Sequence, residues 1–256
     1  MHRHAARGLS RFFGALGEKW DCPLFSDSRI VAKSAHALLA IAVMLIAGLS
    51  GIALAADAPL VVRDDFENGA GRWQPMDAQS WKIVSTPRGN VYSLFQQSEY
   101  KPPYRSPVNI ALLKDVVVGD FVLEIDLQST VKDYDHRSMV LVFGYQDPAH
   151  FYYVHFGKKT DNHANQVFIV NGDARTKIST ETTAGTAWDD AWHKVKIDRD
   201  VSNGDTEIFF DNMKRPVMEA VDDTFTWGQI GIGAFDDLGN FDNLTLRGKP
   251  AKAPAR

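Results

Sequence analysis

Cysteine is almost absent from this chain: its 256 residues include only one, Cys22, which lies near the N-terminus. A lone cysteine forms no disulfide within the chain and cannot build a multi-cysteine metal site. Because the segment that carries Cys22 is expected to be removed, the mature chain is predicted to have no thiol. A disulfide-stapled fold and a cysteine nucleophile are therefore excluded.

The chain also lacks an excess of charge of one sign. Lysine and arginine number 28 against 32 acidic residues, which gives a formal net charge of −4. This balance provides no electrostatic reason to bind nucleic acid or an anionic membrane. We expect neither as a partner of the mature protein.

One long apolar run stands out, over residues 35–56. Arg29 and Lys33 precede it, and small residues end it. A basic flank, an apolar centre and small residues at the end are typical of a secretory signal peptide, cut here after Ala55 or Ala56. The run is nearly long enough for a membrane anchor, but no basic flank follows it. We therefore predict a bacterial protein that is secreted or periplasmic.

The remaining boundaries follow from that segment. Residues 1–34 are predicted to be a leader or the product of a mis-assigned start, with Val31 as an alternative start. Residues 57–247 are predicted to form one domain. Residues 248–256 have the composition of a disordered tail.

Helical periodicity is missing at any useful length. Short runs rich in Val, Ile, Phe and Tyr alternate instead with turn residues; they cover residues 120–128, 139–145, 151–156, 166–171, 175–179 and 192–198. Such runs predict antiparallel strands. Their number and spacing predict an all-β fold with two packed antiparallel sheets. Residues 99–107 contain three prolines, so they are predicted to form a surface loop that carries Tyr100, Tyr104 and Arg105.

Several of these stretches resemble the concanavalin A-like lectin/glucanase jelly roll in its laminin-G-like form. The stretches are Asp64-Asp65-Phe66, the strand at 119–127, the run at 142–153, Trp192-His193-Lys194-Val195, and the closing run at 241–244. The chain is also similar to the 3-keto-disaccharide hydrolase-like domain. The resemblance implies a jelly-roll sandwich that holds sugars on its concave sheet.

The same superfamily includes the laminarinase-type glycoside hydrolases, and Glu124 and Asp126 nearly match their catalytic strand. That chemistry needs a second catalytic carboxylate on the strand. Gln128 and Ser129 occupy the positions where it would lie, and glutamine cannot act as a general acid. The sequence therefore argues against this activity.

The predicted binding site lies in the run at 151–156. Strand alternation puts Phe151, Tyr153 and His155 on one face, and Tyr152, Val154 and Phe156 on the other, toward the core. Aromatic rings stack on sugar rings while polar neighbours bond the hydroxyl groups. The predicted ligand-binding residues are Arg137, Phe151, Tyr153, His155, His163 and Asn165, and the predicted ligand is a carbohydrate.

Three alternatives stay open at this stage. A glycosidase-like enzyme acting on a modified (3-keto) sugar would use His136 or His155 as base, with Asp135 or Asp161 as partner. No particular cofactor is predicted, but Ca²⁺ could bind at Asp64 and Asp242, which are expected to meet where the first and last strands pair. A purely structural interaction domain is the third alternative. Trp192 is predicted to be core, with His193 pointing the other way.

Overall fold

The computed structural model describes residues 58–253, and within them every strand belongs to one of two antiparallel sheets. The strands are β1 (Leu60–Asp64), β2 (Trp73–Pro75), β3 (Trp81–Thr86), β4 (Gly89–Leu94), β5 (Asn109–Leu113), β6 (Val118–Ser129), β7 (Ser138–Asp147), β8 (His150–Gly157), β9 (Gln166–Asn171), β10 (Thr176–Lys177), β11 (Ser179–Thr182), β12 (His193–Arg199), β13 (Asp205–Phe210), β14 (Met218–Val221), β15 (Gln229–Ala234) and β16 (Gly239–Pro250). One short 3-10 turn, Ala78–Ser80, precedes β3. The prediction of an all-β sandwich is confirmed.

The larger sheet has nine strands in the order β11-β14-β13-β12-β6-β16-β4-β3, with β1 beside the second half of β16. The smaller sheet has seven strands in the order β10-β9-β8-β7-β15-β5-β2. The longest strands, β6 and β16, pair with each other at the centre of the larger sheet. No helix within residues 58–253 is long and apolar enough to cross a membrane.

The main core fills the space between the two sheets. The larger sheet contributes alternate residues of β6, namely Phe121, Leu123, Ile125 and Leu127. The smaller sheet faces them with Tyr152, Val154 and Phe156 of β8, all fully buried. This alternation is the predicted one. Successive side chains of a strand point to opposite faces, so every second residue lies on the inner face. The apolar residues occupy that face because burial removes them from water.

Two segment boundaries differ from the predictions. The run at 175–179 was expected to be one strand, but the chain divides there into β10 and β11, which lie in different sheets. The last strand continues past the predicted boundary at residue 247: Pro250 lies opposite Val118, and Ala251 N–H donates to Val117 at 2.8 Å. The predicted leader and signal peptide lie outside the described residues.

Candidate functional site

The outer face of the seven-stranded sheet, where the binding site was predicted, is buried. Tyr153 and Phe151 do point away from the main core, as expected, but they belong to a second apolar cluster. Its members are Ile110, Leu112, Val140, Val142, Tyr145, Phe151, Tyr153, Phe168 and Val170. Tyr153 is 0% exposed and stacks on Phe168 at 5.0 Å. The expectation that its ring is free to stack on a sugar is therefore wrong in this structure.

The loop segment that contains Tyr104 and Arg105, which we call the covering segment, lies over this face. Tyr104 packs against the second apolar cluster, and Arg105 O accepts a hydrogen bond from Arg175 N–H at 3.1 Å. The Arg175 side chain donates to the Tyr153 hydroxyl at 2.7 Å and lies 4.6 Å from the centre of the Phe168 ring. The predicted proline-rich loop is present, but it shields aromatic rings rather than leaving them open.

His155 was predicted to line the site or to act as a base. Its ring is buried, and both nitrogens are occupied: Nδ1 lies 2.9 Å from the His163 carbonyl oxygen and Nε2 lies 2.9 Å from Ser138 Oγ. Burial, aided by the positive charge of Arg175, lowers the pKa of His155 to about 3. Desolvation disfavours the charged imidazolium, so the ring is neutral near pH 7.

The other predicted catalytic residues do not converge on His155. His136 is largely exposed and lies 3.8 Å from Asp161, the one predicted pair that the structure brings together. Asp161 also accepts hydrogen bonds from the backbone N–H groups of His163 and Ala164. Asp135 binds Lys159 at 2.5 Å. These carboxylates serve turns and surface ion pairs.

Two predicted ligand-binding residues hold the fold together instead. Arg137 is 1% exposed; its guanidinium donates to Ser129 Oγ at 3.0 Å and to Asp190 at 2.8 Å. Asn165 is fully buried and donates to the Thr160 and Thr182 hydroxyls at 2.7 and 3.0 Å. Only His163, of the predicted set, has an exposed side chain.

The predicted calcium ligands have other partners. β1 and β16 do pair, but Asp64 lies opposite Leu244 and accepts from Trp73 Nε1 at 2.9 Å. Asp242 binds Arg88. No group of three or more acidic, histidine or cysteine side chains within residues 58–253 is arranged to hold a metal ion. Calcium binding stays an untested prediction.

The outer face of the nine-stranded sheet carries a group of interacting polar and aromatic side chains. We call it the Arg88 cluster: Arg88, Asp126, Trp192, Lys194, Asp242 and Asn243. Arg88 lies in the turn between β3 and β4. Its guanidinium bonds Asp126 Oδ2 at 2.6 Å through one terminal nitrogen and Asp242 Oδ2 at 2.9 Å through Nε. The same guanidinium lies 4.1 Å from the centre of the Trp192 ring. One side chain is thereby fixed by two carboxylates and one aromatic ring.

A β-bulge in β16 brings Asp242 and Asn243 onto this face together. Asp242 lies opposite Asp126 and Thr245 opposite Glu124, so β16 has one extra residue here. Asn243 takes up the bulge with a φ of 53°, in the left-handed region. Bulges and such backbone strain recur at functional sites. Exposed Asn243 donates its side-chain amide to Asp126 at 3.0 Å.

The two carboxylates of the Arg88 cluster have opposite electrostatic environments. Burial raises the pKa of Asp126, but hydrogen bonds from Asn243, Arg88 and Lys194 outweigh it, so the net shift is downward. Burial dominates at Asp242 and raises its pKa despite Arg88. Asp126 therefore stays ionised, and both groups are held in fixed positions as hydrogen-bond acceptors.

A row of carboxylates crosses the same face beyond the Arg88 cluster. Asp198 lies opposite Glu207, Glu207 opposite Glu219, and Glu219 opposite Glu181, across four neighbouring strands. Burial and the neighbouring carboxylates raise the pKa of Glu207. This acidic row gives one end of the outer face a negative potential.

Sequence reasoning missed the Arg88 cluster, and it assigned Trp192 wrongly. Trp192 is half-buried on the outer face under Arg88, whereas His193 is buried and stacks on Phe210 at 4.7 Å. The physical reason is that β12 begins at His193 with its odd-numbered residues facing inward. The available signal was the Glu124–Asp126 strand, which does present its carboxylates on this face.

Neither a known protein family nor a curated protein matches the chain. Solved structures do match. The carbohydrate-binding module CBM66 from Bacillus subtilis has a TM-score of 0.50 at 18% identity, with 69% of this chain and 95% of that chain covered. Domain 4 of AbnA, a GH43 arabinanase from Geobacillus stearothermophilus solved with arabinotriose, has a TM-score of 0.51 at 10% identity, with coverage of 76% and 95%. A Bacillus subtilis protein of unknown function with a galectin-like fold has a TM-score of 0.52 at 11% identity, with coverage of 76% and 98%.

The chain has a lectin-like jelly-roll fold. At these identities the likeness establishes a shared fold and nothing about the ligand. The main core fills the space between the two sheets, so a ligand would have to bind at an outer face, at a sheet edge or in the loops. The Arg88 cluster occupies such a face.

Proposed function

We propose that this protein binds carbohydrate at the Arg88 cluster, on the outer face of the nine-stranded sheet, and that it does so outside the cytoplasm after signal-peptide removal. The observation that carries the proposal is the geometry of Arg88, which is clamped between Asp126, Asp242 and Trp192. A glycan presents hydroxyl groups that both donate and accept, together with an apolar C–H face. The cluster offers charged and amide groups for the hydroxyl groups and the exposed part of the Trp192 ring for the C–H face.

Preorganisation favours binding at this position. Arg88 keeps donors that neither Asp126 nor Asp242 uses, Asn243 is exposed, and the Lys194 side chain is 48% exposed. Because hydrogen bonds within the cluster already fix these groups, little side-chain freedom is lost when a ligand arrives. The likeness to carbohydrate-binding modules supports the same conclusion at the level of the fold.

Binding is favoured over cleavage by the same contacts. A glycosidase needs one carboxyl group free to protonate the leaving oxygen. Asp126 and Asp242 are both bonded to Arg88, so neither is free to take that role. The alternative of a sugar-cleaving enzyme has less support in the described part of the chain: His155 is buried, and His136 meets Asp161 only as an exposed pair at 3.8 Å.

The test is a glycan-binding screen of the purified protein followed by titration of two cluster variants. The screen should include neutral polysaccharides, arabinan oligosaccharides and cell-wall glycans. Trp192→Ala removes the ring beneath Arg88, and Asn243→Gly removes the amide while keeping the left-handed backbone that glycine adopts freely. We expect each to weaken binding about tenfold, which corresponds to about 1.4 kcal/mol.

Phe95→Ala is the matched control, because Phe95 is also an exposed ring with a cation above it (Lys82, 4.1 Å) but lies outside the cluster. Its affinity should equal that of the wild type. Binding that is unaffected by both cluster variants, or the absence of any glycan ligand, would contradict the proposal.

A further inference from the structure

A chain of buried hydrogen bonds runs along one end of the seven-stranded sheet. We call it the Ser138 chain: His155, Ser138, Asp237 and Tyr134. His155 Nε2 lies 2.9 Å from Ser138 Oγ, which lies 3.1 Å from Asp237 Oδ2. Asp237 Oδ2 also accepts Ser138 N–H at 2.6 Å, and Asp237 Oδ1 accepts the Tyr134 hydroxyl at 2.6 Å. Ser138 is 0% exposed and Asp237 is 4% exposed.

The hydrogen-bonding capacity of each group in the Ser138 chain determines how many protons these hydrogen bonds need. His155 Nδ1 faces the His163 carbonyl oxygen, which can only accept, so Nδ1 carries the proton of the neutral ring. Nε2 is then an acceptor. An ionised Asp237 is also only an acceptor. Ser138 Oγ lies between the two, with a single proton for two contacts.

One proton is therefore missing when His155 is neutral and Asp237 is ionised. If Asp237 gains a proton, its O–H donates to Ser138 Oγ and the serine hydroxyl is free to donate to His155 Nε2. Both contacts are then satisfied. Burial of unsatisfied polar atoms is costly, so the surroundings favour uptake of this proton as the pH falls.

We propose that the Ser138 chain is a proton-controlled switch, in which protonation of Asp237 turns the Ser138 hydroxyl from Asp237 to His155. The switch would link solution pH to the β6–β7 loop, because protonation converts the bond from Tyr134 to a carboxylate into a weaker bond to a neutral acid.

The charged groups around the chain are consistent with Asp237 as the site of protonation. Burial and the neighbouring Asp236 raise the pKa of Asp237, against the lowering effect of its donors Tyr134 and Ser138. On the other side, burial, Arg175 and His136 lower the pKa of His155, while the His163 carbonyl and Asp161 act in the opposite direction. Acidification thus reaches Asp237 before His155.

Nitrogen-15 NMR of the His155 ring and carbon-13 NMR of the Asp237 carboxyl group test the switch on the full chain over pH 7.5 to 3.5. We expect Nδ1 to remain protonated and the Nε2 resonance to move in one step, with the same midpoint as the Asp237 carboxyl resonance. An Nε2 resonance that does not follow Asp237, or a ring protonated at Nε2 near neutral pH, would overturn the proposal.

Three variants complete the test. Asp237→Asn removes the titrating group, and Ser138→Ala removes the bridging hydroxyl. Each variant should therefore abolish the step in the His155 Nε2 resonance. If one of the two variants fails to fold, the other still tests the proposal. Tyr134→Phe, at a ring 42% exposed, removes a donor that favours the carboxylate and should move the midpoint up by about half a pH unit or more. A step that persists without Ser138 or Asp237, or a midpoint that Tyr134→Phe leaves in place, refutes the switch.

Discussion

Truncation of Tyr153 distinguishes a buried second core from an open binding face. The Tyr153 ring is 0% exposed and stacks on Phe168, with centroids 5.0 Å apart and an interplanar angle of 16°. Tyr153→Ala would remove the whole ring from beneath the covering segment. Large-to-small substitutions of buried aromatic residues cost about 3–5 kcal/mol, because the lost transfer free energy and the remaining cavity add. We expect the free energy of unfolding to fall by that amount.

Tyr153→Phe separates the hydroxyl group from the ring. This variant keeps the packing against Phe168 but leaves the Arg175 guanidinium without the acceptor that it contacts at 2.7 Å. A hydrogen bond to a charged group contributes about 1.5–3 kcal/mol, and Arg175 is only half-buried, so we expect a loss near the lower end.

Guanidinium chloride unfolding monitored by tryptophan fluorescence gives both values, with Phe95→Ala as the control at a ring 38% exposed. The control should change the unfolding free energy by less than about 1 kcal/mol. The opposite pattern, in which Tyr153→Ala keeps its stability and loses glycan affinity, would show that the face is open and that the covering segment does not shield it.

Three further predictions use the two faces of the larger sheet and the inter-sheet core. Val154→Asp places an unpaired carboxylate in the main core, where Val154 is 0% exposed, and should abolish cooperative thermal unfolding; a wild-type melt would show that β8 faces the other way. Glu207→Gln should stabilise the protein by about 0.5 kcal/mol at pH 7, because like charges directly opposite are destabilising. Burial and neighbouring carboxylates raise the pKa of Glu207, so the wild type gains stability as the pH falls and this carboxyl group is protonated. The difference between the wild type and Glu207→Gln should therefore vanish at acidic pH, and a difference that persists there would contradict the repulsion. Arg199 donates hydrogen bonds to Gly204 O, Thr206 Oγ1 and Asp222 O at 2.6–2.8 Å. Because lysine cannot reach all three acceptors, Arg199→Lys should lower the free energy of denaturant unfolding by about 2 kcal/mol. Unchanged stability would contradict this role.

The strands and their inward faces could be predicted from the sequence because alternation is a local signal. Leu123 and Ile125 on β6, or Tyr152 and Val154 on β8, show their facing within a few residues. The same rule placed Tyr153 and His155 correctly on the outer face. It could not show that Tyr104 and Arg175, far along the chain, would cover that face, because coverage is a long-range contact.

The Arg88 cluster could not be predicted from the sequence for a different reason. Its members come from the β3–β4 turn, β6, the start of β12 and β16, which become neighbours only through the order of strands in the sheet. Asn243 reaches the outer face only because a bulge shifts the alternation by one residue. A period-two pattern carried on from Phe241 would place Leu244 and Leu246 on the outer face, whereas both are buried in the main core.

The location of the proposed site follows from the difference between the outer faces of the two sheets. The outer face of the seven-stranded sheet is apolar, as Ile110, Val142 and Phe168 show, and the chain itself buries these side chains, with Tyr104 of the covering segment packed against them. The outer face of the nine-stranded sheet instead carries Glu124 and Lys194, which remain partly exposed, and Asp126, whose carboxylate is paired with Arg88 and Lys194. An apolar face covered by the chain itself stabilises the fold, whereas a polar face with side chains fixed by Arg88 stays available to a partner. The chemistry of the exposed side chains, rather than the number of aromatic residues in a strand, is therefore the basis for proposing the nine-stranded sheet as the binding face.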